Sequence, residues 1–167
     1  MKPRLYIETT IPSYLTSRPS RDLIIAGHQQ ITREWWENRS QAVQLYVSQL
    51  VVDEAGAGDP AAARARLSII QDLPLIDLAP EVSTLAAAIL ASGRLPPNAA
   101  TDAAHIAVAA VHNMDFLITW NCVRICECCH HESARRDLSG PRLRLPSHLH
   151  TGRAIGRIGN VQRPHRR

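Results

Sequence analysis

Lysine is almost missing from the 167-residue sequence, with Lys2 standing alone beside eighteen arginines. Together with the many alanines, this is the composition of a GC-rich coding sequence. Long apolar runs are missing too: stretches such as Ile106 to Val111 fall far short of the roughly 18 residues a membrane-spanning helix requires. The N-terminal Met1 to Glu8 has no apolar core of the kind a secretory leader needs, so the expectation is a cytoplasmic protein with no membrane partner. Cysteine is absent from the first 121 residues, and Cys122, Cys126, Cys128 and Cys129 fall within eight positions. Such crowding is a poor framework for stapling a fold, and these thiols are expected to be reduced.

Acidic charge is scarce in one region only. Residues 1 to 121 hold nine basic and twelve acidic residues, net −3, whereas 122 to 167 hold ten and three, net +7. The overall +4 is therefore a property of the tail rather than of the body. The length accommodates one domain with a sizeable core, placed at 1–125, followed by a basic segment at 126–167.

What is present alternates. Arg4 to Ile7 favours a strand that stops at Glu8, and Gln44 to Ser48, Leu75 to Leu78 and Phe116 to Thr119 read as three more. Between them lie helical patterns. Asp22 to about Trp36 places Ile24, Ile31 and Trp35 on one face, with Ser20 as a possible cap. Gln49 to Ala57 carries Asp53 and Glu54, and Pro60 opens a helix to Ile70. Val82, Leu85, Ala86, Ile89 and Leu90 form an i, i+3, i+4, i+7, i+8 stripe ended by Gly93, and Thr101 is a candidate cap for Asp102 to Val111. Alternating strands and helices predict an α/β fold with a mainly parallel sheet covered on both faces, in which ligands collect beyond the carboxyl ends of the strands.

Four polar residues occupy comparable places in this scheme and are candidates to converge at that edge: Glu8 after the first strand, Glu54 after the second, Asp102 opening a helix and Asn121 after the fourth. Taken singly, each also suits a solvated element end, and Asp102 suits a helix N-terminus. Three carboxylates drawn together repel unless protons or a cation neutralise them. Oxygen ligands point to Mg²⁺ or Mn²⁺ rather than to zinc, which favours histidine and cysteine.

The segments Tyr6-Ile7-Glu8-Thr9-Thr10-Ile11-Pro12-Ser13, Val47-Ser48-Gln49 leading to Glu54, Asp102-Ala103-Ala104-His105-Ile106-Ala107 and Leu117-Ile118-Thr119-Trp120-Asn121 together resemble the PIN domain family, and within it the VapC-type toxins of type II toxin–antitoxin pairs. The resemblance spans about residues 3 to 122. It implies a three-layer α/β/α sandwich and a Mg²⁺- or Mn²⁺-dependent endoribonuclease, with an RNA substrate, a cognate antitoxin and a homodimer as partners. Glu8, Glu54 and Asp102 match acidic ligand positions. Two positions depart from the family pattern: Glu8 stands where Asp is usual, and Asn121 where Asp is frequent, which lowers the charge of the site to about −3. The implied reaction is hydrolysis of a phosphodiester by water, with no side-chain nucleophile.

Around this centre, Thr9, Thr10 and Ser13 are candidates to orient ligands or water, and His105 lies three residues after Asp102 on the same helical face. Arg18 and Arg21 are candidate phosphate contacts in a loop. Trp35 and Trp36 suit either base stacking or a core. A catalytically weak nucleic-acid-binding or antitoxin-binding module is the competing function, and an acidic phosphotransfer receiver is disfavoured because no lysine follows the fourth strand. In the tail, the spacing of Cys122, Cys126, Cys128, Cys129, His130 and His131 fits no usual zinc pattern, and the excess of Arg, His, Gly and Pro without apolar period suits either an RNA-binding arm or an out-of-frame, disordered product of a frameshift near codon 122.

Overall fold

The computed structural model describes residues 2–93 and 95–121; the expectations for the cysteine cluster and the basic tail lie outside the described residues. Strands β1 (Arg4–Ile7), β2 (Gln44–Ser48), β3 (Leu75–Ile76) and β4 (Phe116–Ile118) form one parallel sheet in the order β3-β2-β1-β4. β1 is central. Leu5 pairs with Leu45 on one side and Phe116 on the other, and Ile7 pairs with Ile118. Leu5, Tyr6 and Ile7 are all fully buried although successive side chains of a strand face opposite ways, so both faces of the sheet are covered and the sandwich expected from the sequence is present.

The covering helices are α1 (Thr10–Thr16), α2 (Leu23–Arg39, followed by a 3₁₀ turn at Ser40–Ala42), α3 (Gln49–Gly56), α4 (Pro60–Ile70), α5 (Pro80–Ala91) and α6 (Ala100–Val111). α1 packs on α2 and α4, α3 packs on α4, and α5 packs on α6. α6 is alanine-rich on its buried side, where Ala103, Ala107 and Ala110 let its backbone approach its neighbours closely; added bulk there costs about 1–3 kcal/mol through overpacking. Asp59 caps α4 by accepting from Ala61 N and Ala62 N, with Pro60 at a position where its missing N–H forfeits nothing. Gly93 follows α5 at φ +70°, a left-handed conformation that glycine adopts without a Cβ clash. Among the described residues no helix is long and apolar enough to cross a membrane.

Several local expectations are corrected. A helix, α1, which the sequence pattern did not announce, begins two residues after Glu8; Pro12 falls in its first turn, where N–H groups have no intrahelical partner to lose. Asp22, not Ser20, caps α2 through bonds from Ile24 N and Ile25 N, and the Ser20 hydroxyl accepts from Asp22 N instead. Ile24 and Ile31 are 71% and 41% exposed, because the i, i+3, i+6 row turned to the core is Gln29, Thr32 and Trp35. Thr101 does not cap α6, which starts one residue earlier with Ala99 before it. Trp35 is buried in the core and so is no stacking platform, while Trp36 is half-buried and packed against that core.

Candidate metal centre

Because β1 lies between β2 and β4, the residues that follow these strands gather at one edge. The Ile7–Ile118 register makes Glu8 and Thr119 neighbours, and Glu8 N donates to Ile118 O over 3.0 Å. The Glu8 side chain is buried, and its Oε2 accepts from the hydroxyls of Thr10 (2.6 Å) and Thr119 (2.8 Å) and from Thr10 N (3.2 Å). Both hydroxyls are themselves tethered, Thr10 Oγ1 accepting from Trp120 N and Thr119 Oγ1 from Asn121 N. Three donors on one oxygen fix the carboxylate while leaving its charge uncompensated by any cation: among the described residues no arginine or lysine pairs with Glu8 or Glu54.

Glu54 reaches the same place from the last turn of α3 and is about one-third exposed. Its Oε2 accepts from the Thr9 hydroxyl and from His105 Nε2 at 3.1 Å. Burial pushes this carboxyl upward, but the hydrogen bonds from His105 and Thr9 and the attraction of His105 outweigh it, and the group titrates below its ordinary value. His105 is fully buried on α6, with Nδ1 2.7 Å from the Tyr6 hydroxyl, which lies 2.7 Å from Ser48 Oγ at the end of β2. Burial above all raises the Tyr6 phenol; the bond to Ser48 opposes that and the charges of Glu54 and Glu8 reinforce it.

One oxygen each of Glu8 and Glu54 and a ring nitrogen of His105 lie within 4.8 Å of one another. Asp102, buried in the first turn of α6, stands outside that group, with its Oδ1 accepting from Asn121 Nδ2 over 2.5 Å. Thr9 reaches Glu54, while no hydrogen bond joins the Ser13 hydroxyl to the carboxylates among the described residues. Arg18 and Arg21 are exposed in the loop before α2, a loop shaped by Gln29, which bonds Ser17 Oγ, Arg18 O and Ser20 N. Two close carboxylates with the His105 ring beside them form a donor set that fits a divalent cation.

Four contributors escaped the sequence reading. Thr119 was recoverable from register, being opposite Glu8. Tyr6 was recoverable as the polar tip in an otherwise apolar buried strand, which demands a partner, and Ser48 is that partner. The fourth is an aromatic group beside the centre, in which His28 stacks on Trp120 with centroids 4.0 Å apart and Tyr14 lies tilted at 6.1 and 6.2 Å from them. Trp120 is further pinned by its indole N–H donating to Thr32 Oγ1. Nothing in the spacing of residues 14, 28 and 120 announces that group.

No family model and no curated protein matches the sequence. Among solved structures, the chain is similar to that of VapBC2 from Rickettsia felis bound to a DNA fragment from its promoter, with a TM-score of 0.52 and 16% identity over 71% of this chain and 88% of that one. At this identity the likeness establishes the fold, a VapC-like PIN fold, and not the chemistry.

Proposed function

We propose that the chain is a divalent-cation-dependent endoribonuclease, the toxin of a type II toxin–antitoxin pair, acting on RNA phosphodiester bonds. The observation that carries this reading is the convergence of Glu8 and Glu54, with Asp102 one turn before His105 on α6, at the carboxyl edge of a parallel sheet in a VapC-like fold. Glu8, Glu54 and Asp102 would hold the cation, Mg²⁺ or Mn²⁺. When bound, it supplies Lewis-acid activation of water and neutralises charge on the phosphate. The protein's share is positioning: Thr10 and Thr119 hold Glu8, Thr9 and His105 hold Glu54, and Asn121 holds Asp102. Preorganised carboxylates need little rearrangement to take a cation, which favours affinity.

Arg18 and Arg21 supply exposed positive charge for the RNA backbone in an otherwise mildly acidic body. A cognate antitoxin is proposed as protein partner because the similar structure is a VapBC complex, and a homodimer because the resembling family forms them. Asn121 favours a second reading, a catalytically weak antitoxin- or nucleic-acid-binding module, since its amide engages Asp102 without adding charge. Incubating the purified protein with single-stranded RNA in Mg²⁺, Mn²⁺ or EDTA separates the two. Cleavage that needs the cation and stops in EDTA supports the nuclease; RNA or antitoxin binding without cleavage in either metal supports the module.

A further inference from the structure

We infer that the parallel stack of His28 on Trp120 is a nucleobase platform, on which one base of a single-stranded RNA stacks next to the phosphate presented to the carboxylates. The ligand class, RNA, rests on the proposed function; the place where a base is held goes beyond it.

The stack grows out of the contacts that build the centre. Trp120 stands two residues beyond β4, and its backbone N–H donates over 2.9 Å to Thr10 Oγ1, the hydroxyl that in turn donates to Glu8 Oε2. One threonine hydroxyl therefore separates the tryptophan from the buried acid. Its indole N–H donates over 2.7 Å to Thr32 Oγ1, and the Thr32 hydroxyl donates to His28 O one turn earlier on α2. Trp120 is thus fastened at its backbone and at its ring, and the residue that fastens the ring also bonds the backbone of His28. The imidazole lies on the indole with centroids 4.0 Å and planes 15° apart, while Tyr14 on α1 stands tilted beside both.

This group differs from core packing. All three rings are partly exposed. The single donor of the indole is already engaged, so what Trp120 offers a ligand is ring surface. The His28 ring makes no hydrogen bond among the described residues; its contacts are with the two other rings. A fixed parallel pair is extended by a further planar group at little ordering cost. Nucleobases are such groups, and aromatic side chains hold the unstacked bases of single strands in this way.

Charge favours a nucleotide over a neutral ring. Gln29, next to His28, accepts from Ser20 N and donates to Ser17 Oγ and Arg18 O, which ties the loop carrying the exposed Arg18 and Arg21 to α2. The stack is joined to the acidic centre through Thr10 and to a basic loop through Gln29. A base lying between two backbone phosphates fits that arrangement, with the centre beside one phosphate and arginine beside the other. Because every base has a π face, the platform selects unpaired strands rather than one sequence.

The test is binding of a short, end-labelled single-stranded RNA to the full chain, read by fluorescence anisotropy in EDTA, with the folding of each variant checked by its melting curve. His28→Ala is expected to weaken binding about tenfold, the size of one base–aromatic stack, and His28→Phe, which keeps a flat ring and has no ring nitrogen, to retain it. Equal losses in the two variants, or no loss in His28→Ala, overturn the inference. Removing one base of the RNA at a time is expected to reveal one position whose abasic form binds wild type about tenfold more weakly and binds His28→Ala no worse than the intact strand does. Additive losses at every position overturn it, since no base then meets His28. Independently of His28 variants, RNA is expected to quench tryptophan emission of the wild type and not of Trp120→Phe, and quenching that persists in Trp120→Phe overturns the inference. The proposed function fails separately. A wild type that binds RNA through His28 and leaves it uncut in Mn²⁺ refutes the nuclease and supports the platform, whereas a wild type that binds no RNA refutes both.

Discussion

Asn121→Asp separates what the amide does without metal from what a fourth acid would do with it. The change removes the N–H that donates to Asp102 Oδ1 over 2.5 Å and sets a second carboxylate against a buried one. Two unit charges 4 Å apart at an effective dielectric of 20 repel by about 4 kcal/mol. Loss of a hydrogen bond to a charged group adds roughly 1.5–3 kcal/mol. Asn121 is partly exposed, so the new side chain can turn toward solvent and relieve much of the sum. A net loss of about 2–4 kcal/mol in EDTA at neutral pH follows, or roughly 8–16 °C in Tm for a domain of this size. Because protonating one member of the pair relieves the repulsion, the deficit narrows as pH falls through the carboxylate range. Added Mn²⁺ screens the same repulsion, so the variant's Tm rises more on Mn²⁺ addition than the wild type's does. Differential scanning calorimetry across pH, with and without Mn²⁺, measures each effect. A melting temperature in EDTA within about 2 °C of wild type would refute the reasoning, since it would mean the amide does not hold Asp102.

Three further outcomes follow from the same contacts. Since the folded pKa of Glu54 lies below its unfolded value near 4.5, its ionised form contributes stability that is present above that pH and lost as pH falls through the folded value; acid melts of metal-free Glu54→Gln are expected to show a shallower decline there than wild type. Tyr6 has the opposite sign: its raised pKa means that stability present below about pH 10 is lost as the pH climbs, and Tyr6→Phe, though less stable at pH 7 because Ser48 and His105 Nδ1 lose a partner, is expected to lose no comparable increment in alkaline melts. Thr119→Val removes a donor to Glu8 and an acceptor for Asn121 N, which costs about 1–3 kcal/mol in chemical denaturation and weakens Mn²⁺ binding in calorimetric titration.

The strands and most helices were legible because their signals are local. Gln44 to Ser48 is bounded by its own composition, and Pro60 announces α4 with a preset φ. The stripe of α5 is legible for the same reason, being repeated every turn. α2 was read on its wrong face because the core there is lined by Gln29 and Thr32, polar residues made tolerable by bonds to the loop at 17–20 and to His28 O, while isoleucines turn outward. Periodicity of apolar residues carries no trace of such a substitution. At the centre, Glu8 was visible as an acid at the end of a strand and Glu54 as an acid on the helix that follows β2. That Asp102 bonds Asn121 while His105 stands beside the two glutamates depends on how α6 is rotated over the sheet, a tertiary quantity that the spacing from 102 to 105 leaves open.

The central claim is that Glu8, Glu54 and Asp102 share one divalent cation that the hydrolysis of RNA requires. Its most direct measurement is a calorimetric Mn²⁺ titration of wild type and Asp102→Asn, run beside single-stranded RNA cleavage by the same samples. The account predicts a saturable Mn²⁺ site in the wild type and a loss of affinity and of cleavage together in an Asp102→Asn variant that remains folded in EDTA. Full Mn²⁺-dependent cleavage by folded Asp102→Asn would contradict it.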